Sequence, residues 1–176
     1  MNHLWAPWRM GYVTKGEQSC DCVFCGCGHC DPADDAEHHV LARATHNFVI
    51  LNAYPYNNGH LMVVPYQHES DFTKLPPHTA IEMMALAQLA LAVLQQEYRA
   101  EGANIGLNIG KAAGAGIKDH VHMHVVPRWS GDTNFMTSLG ETRVVPQSLE
   151  DSYSTLAPTM QEFVSKYLSQ MLANGE

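Results

Sequence analysis

The sequence predicts an α+β fold, and three observations carry that prediction. HNFVILNAYP and GHLMVVPYQH, residues 46–55 and 59–68, are two segments rich in Val, Ile, Leu and Phe joined by a polar turn, Pro55 to Gly59, which reads as a β-hairpin. LPPHTAIEMMALAQLALAVLQQEYRAEG, residues 75–102, is a single long helical stretch. HVHMHVVP, residues 120–127, alternates with period two as a half-buried strand does.

Taken in chain order, the cysteine-bearing start ends in DPADDAE, residues 31–37, acidic and turn-rich, which reads as a loop. The hairpin follows. The helix is announced by Pro76 and Pro77, by Thr79 and Glu82 at capping-box spacing, and by Gly102 beyond its end; apolar residues at 81, 84, 85, 89 and 92 supply the stripe expected to lie on a sheet. ANIGLNIG is a short strand, GKAAGAGIKD a glycine-rich loop, and HVHMHVVP the last strand of the core. The order is strand, strand, helix, strand, loop, strand. A polar stretch, SGDTNFMTSLGE, and RVVP lead to a closing helix over 159–172 with Met160, Phe163, Val164, Tyr167, Leu168 and Met171 on one side. One domain accounts for the 176 residues: a cysteine-containing arm over 1–35, a catalytic core over 36–130 and a C-terminal extension over 131–176.

Ten Lys and Arg against 18 Asp and Glu give a formal net charge of −8, which argues against a polynucleotide partner held by counterion release. A small phosphate-bearing ligand stays possible, because a few N–H groups and imidazoles suffice for one phosphate. MNHLWAPWRM shows no basic and then apolar leader pattern, and the longest apolar stretch, Met83 to Leu94, is short for a membrane span, so a cytoplasmic protein without membrane contact is expected.

His120, His122 and His124 would share one face of the last strand, about 6.5–7 Å apart pairwise, while Val121, Met123 and Val125 face the core. The imidazoles should then form a row on the accessible side. They could be unrelated surface histidines, a metal site in which all three bind one catalytic zinc, or a covalent centre in which one unprotonated imidazole attacks phosphorus. Gly110, Gly114 and Gly116 in the preceding loop favour the last, because backbone N–H groups there can approach phosphate oxygens.

HVHMHVV matches the pattern His-φ-His-φ-His-φ-φ, with φ apolar, and so resembles the histidine triad (HIT) family; VILNAYPYNNGHLMVVP and LNIGKAAGAGIKD resemble that family's substrate strands and loop. HVHMHVVPRWSGDTNFM, with LWAPWRM near the start, resembles a bacterial branch related to diadenosine tetraphosphate phosphorylases and hydrolases. The resemblance spans roughly Leu4 to Leu149 and implies an antiparallel sheet carrying the main helix, a homodimer, and nucleotidyl transfer at an α-phosphate. His122 would be the nucleophile, its other ring nitrogen donating to a fixed acceptor such as a carbonyl of its own strand. His124 would hold a phosphate oxygen or assist the leaving group. The resemblance also places Asn52 at the ribose and His60 and Asn108 at the substrate, with Gly114 and Gly116 in the phosphate loop. Read without it, Asn52 is equally a strand-end turn residue and His60 a packed histidine. A nucleotide-binding sensor with little turnover is the remaining alternative, one that needs no nucleophile at His122.

Cys20, Cys22, Cys25, Cys27 and Cys30 fall within eleven residues, and an odd cluster in a reducing compartment points to metal ligation. CVFC, Cys22 to Cys25, has the spacing of two thiolates on one tetrahedral zinc. The family resemblance implies His68 and His120 as the other two ligands of a structural Zn2+. A Cys₄ knuckle made with Cys27 and Cys30 competes with it. Trp129 is expected in the core or at a subunit contact, and the PRW segment that contains it has no assigned role.

Overall fold

The computed structural model describes residues 22–132 and 147–174; the LWAPWRM and RVVP segments and Cys20 lie outside them. Among the described residues, five strands form one antiparallel sheet: β1 (Val40–Arg43), β2 (Asn47–Leu51), β3 (Leu61–Pro65), β4 (Gly102–Leu107) and β5 (Met123–Arg128), in the order β1-β2-β3-β5-β4. The expected hairpin is β2–β3, in register from Asn47 with Pro65 to Leu51 with Leu61. Gly59 serves its turn with φ +71, and a Cβ there would stand 2.7 Å from the Tyr98 ring. β1 was not foreseen, and part of the acidic DPADDAE loop is folded, as a 3₁₀ turn (Pro32–Asp34) and a four-residue helix, Asp35–His38.

Alternation along the strands divides the apolar side chains between two layers. Val49, Leu51, Leu61, Val63, Val121, Met123 and Val125 face the long helix Pro77–Tyr98 and the C-terminal helix Leu149–Asn174. Phe48, Ile50, Met62 and Val64 face the other way and meet a short helix of the arm, Val23–His29. In chain order the α-helices of the described residues are α1 (Val23–His29), α2 (Asp35–His38), α3 (Pro77–Tyr98) and α4 (Leu149–Asn174).

Two expectations for α3 are corrected. Its buried face is Thr79, Glu82, Met83, Leu86, Ala87, Ala90, Val93 and Leu94, whereas Ile81 and Met84 are 68% and 50% exposed. Thr79 and Glu82 form no capping box: the N-cap is Pro76, with no side-chain cap. Glu82 instead accepts from Thr45 N (3.1 Å), His46 N (2.7 Å) and Asn47 Nδ2 (2.7 Å). Those bonds compensate the burial of its carboxylate and tie α3 to the β1–β2 turn. α4 begins ten residues earlier than expected and runs through Pro158; its core-facing residues are Leu156, Ala157, Met160 and Val164.

The arm is fastened at both ends of α1. Arg43 of β1 donates through Nη1 to the Gly28 carbonyl (2.6 Å) and through Nη2 to that of Cys27 (3.0 Å), satisfying carbonyls that a helix C-terminus leaves open. Asp35 holds the guanidinium at 2.6 Å and raises its pKa. Gly28 permits the close approach, since a Cβ there would meet Phe48 at 2.9 Å.

Candidate functional site

The strand that carries the histidines begins only at Met123, so His120 and His122 stand on the extended segment before β5 and His124 within it. Val121, Met123 and Val125 enter the main core as expected. The opposite side is not the open row the alternation suggested. His120 and His122 are 1% and 5% exposed, covered by Phe24 of α1, whose ring centroid lies 5.5 Å from that of His120 and 4.9 Å from that of His122. Alternation sets which residues share a face; the arm decides whether that face meets water.

The three imidazoles do not converge on one point. His120 Nδ1 lies 3.3 Å from Cys22 Sγ and 3.7 Å from Cys25 Sγ, and Cys25 Sγ lies 3.2 Å from His68 Nδ1. All four donor atoms fall within 4.8 Å of one another. A tetrahedral zinc with Zn–S of about 2.3 Å and Zn–N of about 2.0 Å requires S···N edges of about 3.5 Å, so the donor set fits. His120 Nε2 stands 2.9 Å from the Pro65 carbonyl; donating there leaves Nδ1 bare for a metal, as ligating histidines usually are arranged. Cys22, Cys25, His68 and His120 are therefore suited to a structural Zn2+ that joins the arm to the histidine segment. The Cys₄ knuckle is not formed: Cys30 Sγ donates to the Cys27 carbonyl (3.1 Å) and receives Arg43 Nη2 (3.2 Å), while Cys27 packs into the second apolar cluster, where burial pushes its thiol up to about 11.

Hydrogen bonds fix opposite tautomers on the other two histidines. His122 Nδ1 lies 2.8 Å from the His120 carbonyl, and a nitrogen facing a carbonyl must donate, so Nε2 is unprotonated. His60 Nδ1 accepts the Tyr56 N–H at 3.0 Å, which puts the His60 proton on Nε2, 3.0 Å from His124 Nδ1. His124 therefore accepts on Nδ1 and carries its proton on Nε2. The two rings, with centroids 4.9 Å apart, present one bare nitrogen and one N–H. Burial keeps all of them neutral. It lowers the pKa of His122, takes His60 from 6.5 to about 3 with help from His124 and His122, and takes His124 from 6.5 to about 4.

A cleft of about 410 Å³ opens beside His124, bordered by Tyr56, Asn104, Gly106, Asn108 and Arg128. β4 and β5 build it in register: Gly106 pairs with His124 and Asn104 with Val126. Of the residues expected at the substrate, Asn108 and His124 line this cleft. His60 is 1% exposed and stands behind the cleft, in contact with two of its lining residues, His124 and Tyr56. Asn52, at the end of β2, accepts the Tyr54 N–H through Oδ1 (2.9 Å) and brings Nδ2 to 3.4 Å from His60. Gly114, with φ +81, gives its N–H to the Lys111 carbonyl (3.1 Å), and it and Gly116 are exposed outside the lining of the cleft. Trp129 is partly buried against the main core, its Nε1 donating to the Tyr98 carbonyl (3.2 Å). Tyr56, Asn104, Gly106 and Arg128 were not singled out from sequence. Arg128 could have been, since it stands four residues beyond His124 and therefore on the same face.

The HIT domain family model matches residues 33–131, more than half of the chain. The chain belongs to the histidine triad family. Among curated relatives, the AP-4-A phosphorylase of Mycobacterium tuberculosis is 40% identical over 166 residues, covering 89% of this chain and 83% of that one. A zinc-bound histidine triad family protein from Mycobacterium smegmatis superposes with a TM-score of 0.66 at 30% identity, over 83% of this chain and 97% of that one. The diadenosine triphosphate hydrolase of Plasmodium falciparum shares the fold, with a TM-score of 0.57 at 17% identity over 75% of this chain and 80% of the other.

Proposed function

We propose that this HIT protein is a nucleotide phosphorylase that cleaves an adenosine polyphosphate, diadenosine tetraphosphate being the expected substrate, at an α-phosphate through a nucleotidyl-His122 intermediate. The observation that carries this reading is the pair of opposite tautomers on His122 and His124. The bare Nε2 of His122 attacks the α-phosphorus, a P–N bond forms, and the P–O bond to the leaving group breaks. His124 Nε2–H hydrogen-bonds the departing oxygen or a non-bridging one and keeps its proton; the polyphosphate leaves as an anion. In the second step an anionic oxygen of the acceptor phosphate attacks the same phosphorus, the P–N bond breaks and His122 Nε2 is restored. His60, held by the Tyr56 N–H, acts as a positioning residue that keeps the His124 tautomer. Asn108, the residue after β4, would face the same phosphate and Asn52 the ribose, and the Gly114–Gly116 loop, which lies outside the lining of the cleft, would close over the phosphate when substrate binds. A zinc on Cys22, Cys25, His68 and His120 would supply fixed geometry to the segment before β5, and its closed ligand set leaves no position for an activated water.

Likeness to the M. tuberculosis phosphorylase favours orthophosphate over water as the second acceptor. Products identified by mass test it: ADP and ATP from diadenosine tetraphosphate only when phosphate is present mark phosphorolysis, and AMP and ATP mark hydrolysis. The reading treats residues 1–176 as one HIT domain in a reducing, cytoplasmic setting, where cysteines can serve as zinc thiolates. It includes a homodimer, supported by the outer position of β4 in the sheet and by exposed Ile105, Ile81 and Met84. Light scattering on the purified protein tests the dimer.

A further inference from the structure

We propose that Arg128, braced by Asn104 and Asp132, receives the distal phosphates of the leaving group and so sets the preference for a long polyphosphate over a short one; this rests on the reading above. The register supplies the direction. On the cleft face, Gly106 lies opposite His124, Asn104 opposite Val126, and Gly102 opposite Arg128. Asn52 occupies the same row as Val126 but two strands away, just past the end of β2, its N–H bonded to the His60 carbonyl at 2.9 Å. With the ribose toward Asn52 and the α-phosphorus over the histidines, the leaving chain has the β4 side and the outer end of β5 left to it.

Arg128 is the one cation among the described residues lining that end, in a chain of net charge −8. Its guanidinium leans back along the strand. Nη1 donates to Asn104 Oδ1 at 2.9 Å, and Asn104 sits opposite Val126, one two-residue step of about 7 Å from His124. Phosphorus atoms in a polyphosphate follow one another at about 3 Å, so a guanidinium at that step meets the second or third phosphate beyond the α-position, not the α-phosphate itself. Asp132 takes Nε through Oδ2 (2.6 Å) and Nη2 through Oδ1 (2.7 Å), and is itself held by Asn57 Nδ2 (3.0 Å) and Trp129 N (3.2 Å). These contacts orient the group on one edge, and the outward N–H bonds of Nη1 and Nη2 remain for phosphate oxygens. The side chain is 45% exposed, so a ligand can reach it. Lining by Gly106 keeps the passage from His124 open, because a Cβ there would meet nothing within 4 Å. PRW thereby acquires a division of labour, with Arg128 in the cleft and Trp129 in the core.

The test compares the zinc-loaded full chain with Arg128→Gln and Arg128→Lys on two substrates, diadenosine tetraphosphate and the phenyl ester of AMP, whose leaving group carries no phosphate. The ratio of kcat/KM for the long substrate to that for the short one should fall about tenfold in Arg128→Gln, through KM, and recover in part in Arg128→Lys. A ratio within twofold of the wild type in both variants overturns the proposal. So does a rise in KM for orthophosphate with the ratio unchanged, which would make Arg128 an acceptor site. Wild-type protein that turns over neither substrate overturns the covalent reading as well, whereas turnover of both with an unchanged ratio overturns the arginine assignment alone.

Discussion

Phe24→Ala probes the joint between the metal arm and the nucleophile. Phe24 is 2% exposed, lies in a cluster with Val40, Phe48, Ile50, Met62 and Val64, and touches the rings of both His120 and His122. Truncating a buried Phe removes its transfer free energy and leaves a cavity, together about 3–5 kcal/mol. The upper part of that range applies here, because zinc ligands on either side, Cys22 and Cys25, and the Arg43 bonds to the end of α1 keep the helix from collapsing into the void. Urea unfolding with zinc in excess should show a loss of about 4 kcal/mol, with close to one zinc per chain retained. Turnover should also fall about tenfold, since the ring that fixes the His122 imidazole is gone while its hydrogen bond to the His120 carbonyl remains. A loss under about 1 kcal/mol would show that α1 does not pack on the sheet as described.

His68→Ala should lower zinc content and stability, whereas Cys27→Ala should leave zinc content unchanged; metal analysis giving the reverse would restore the arm-only knuckle. Gly106→Val adds a side chain opposite His124 where a Cβ meets nothing, so the melting temperature should hold while KM for diadenosine tetraphosphate rises at least about tenfold by steric block; an unchanged KM would remove the cleft from the substrate path. Lowered pKa values at His60 and His124 mean that the unfolded chain binds more protons than the folded one below pH 6.5, so stability should fall as pH drops from 6.5 toward about 4. Activity should persist at pH 5.5 and fail toward pH 4, as a second proton on His124 removes the acceptor for His60 Nε2–H; a rate already halved at pH 6.5 would contradict this.

The hairpin, the existence of the long helix and the core-facing half of the last strand were legible because each depends on local alternation or turn chemistry. The buried face of α3 was not: Ala, Leu and Met make up half of its 22 residues and fall on every side, and the orientation is set by Glu82 reaching the β1–β2 turn, a contact between residues more than thirty positions apart. Likewise the histidine pattern put His120, His122 and His124 on one face while leaving open which of them met solvent, since Phe24 comes from a part of the chain nearly a hundred residues away. The zinc ligands were proposed from resemblance and spacing, but the choice between Cys₂His₂ and Cys₄ needed the fold to bring His68 and His120 to the thiols. Arg128 was passed over because Pro127 reads as the end of a strand, although Pro127 sits within β5 paired with Ala103.

The sharpest measurement is a millisecond acid- or base-quench of the protein with diadenosine tetraphosphate in the absence of phosphate, followed by peptide mass analysis. A mass increase of one adenylyl group on the peptide carrying His122, stable to base and lost in acid, and missing from His122→Ala, is the expected result. Full turnover by His122→Ala, or a wild-type peptide that never carries the group while product accumulates, would contradict attack by His122.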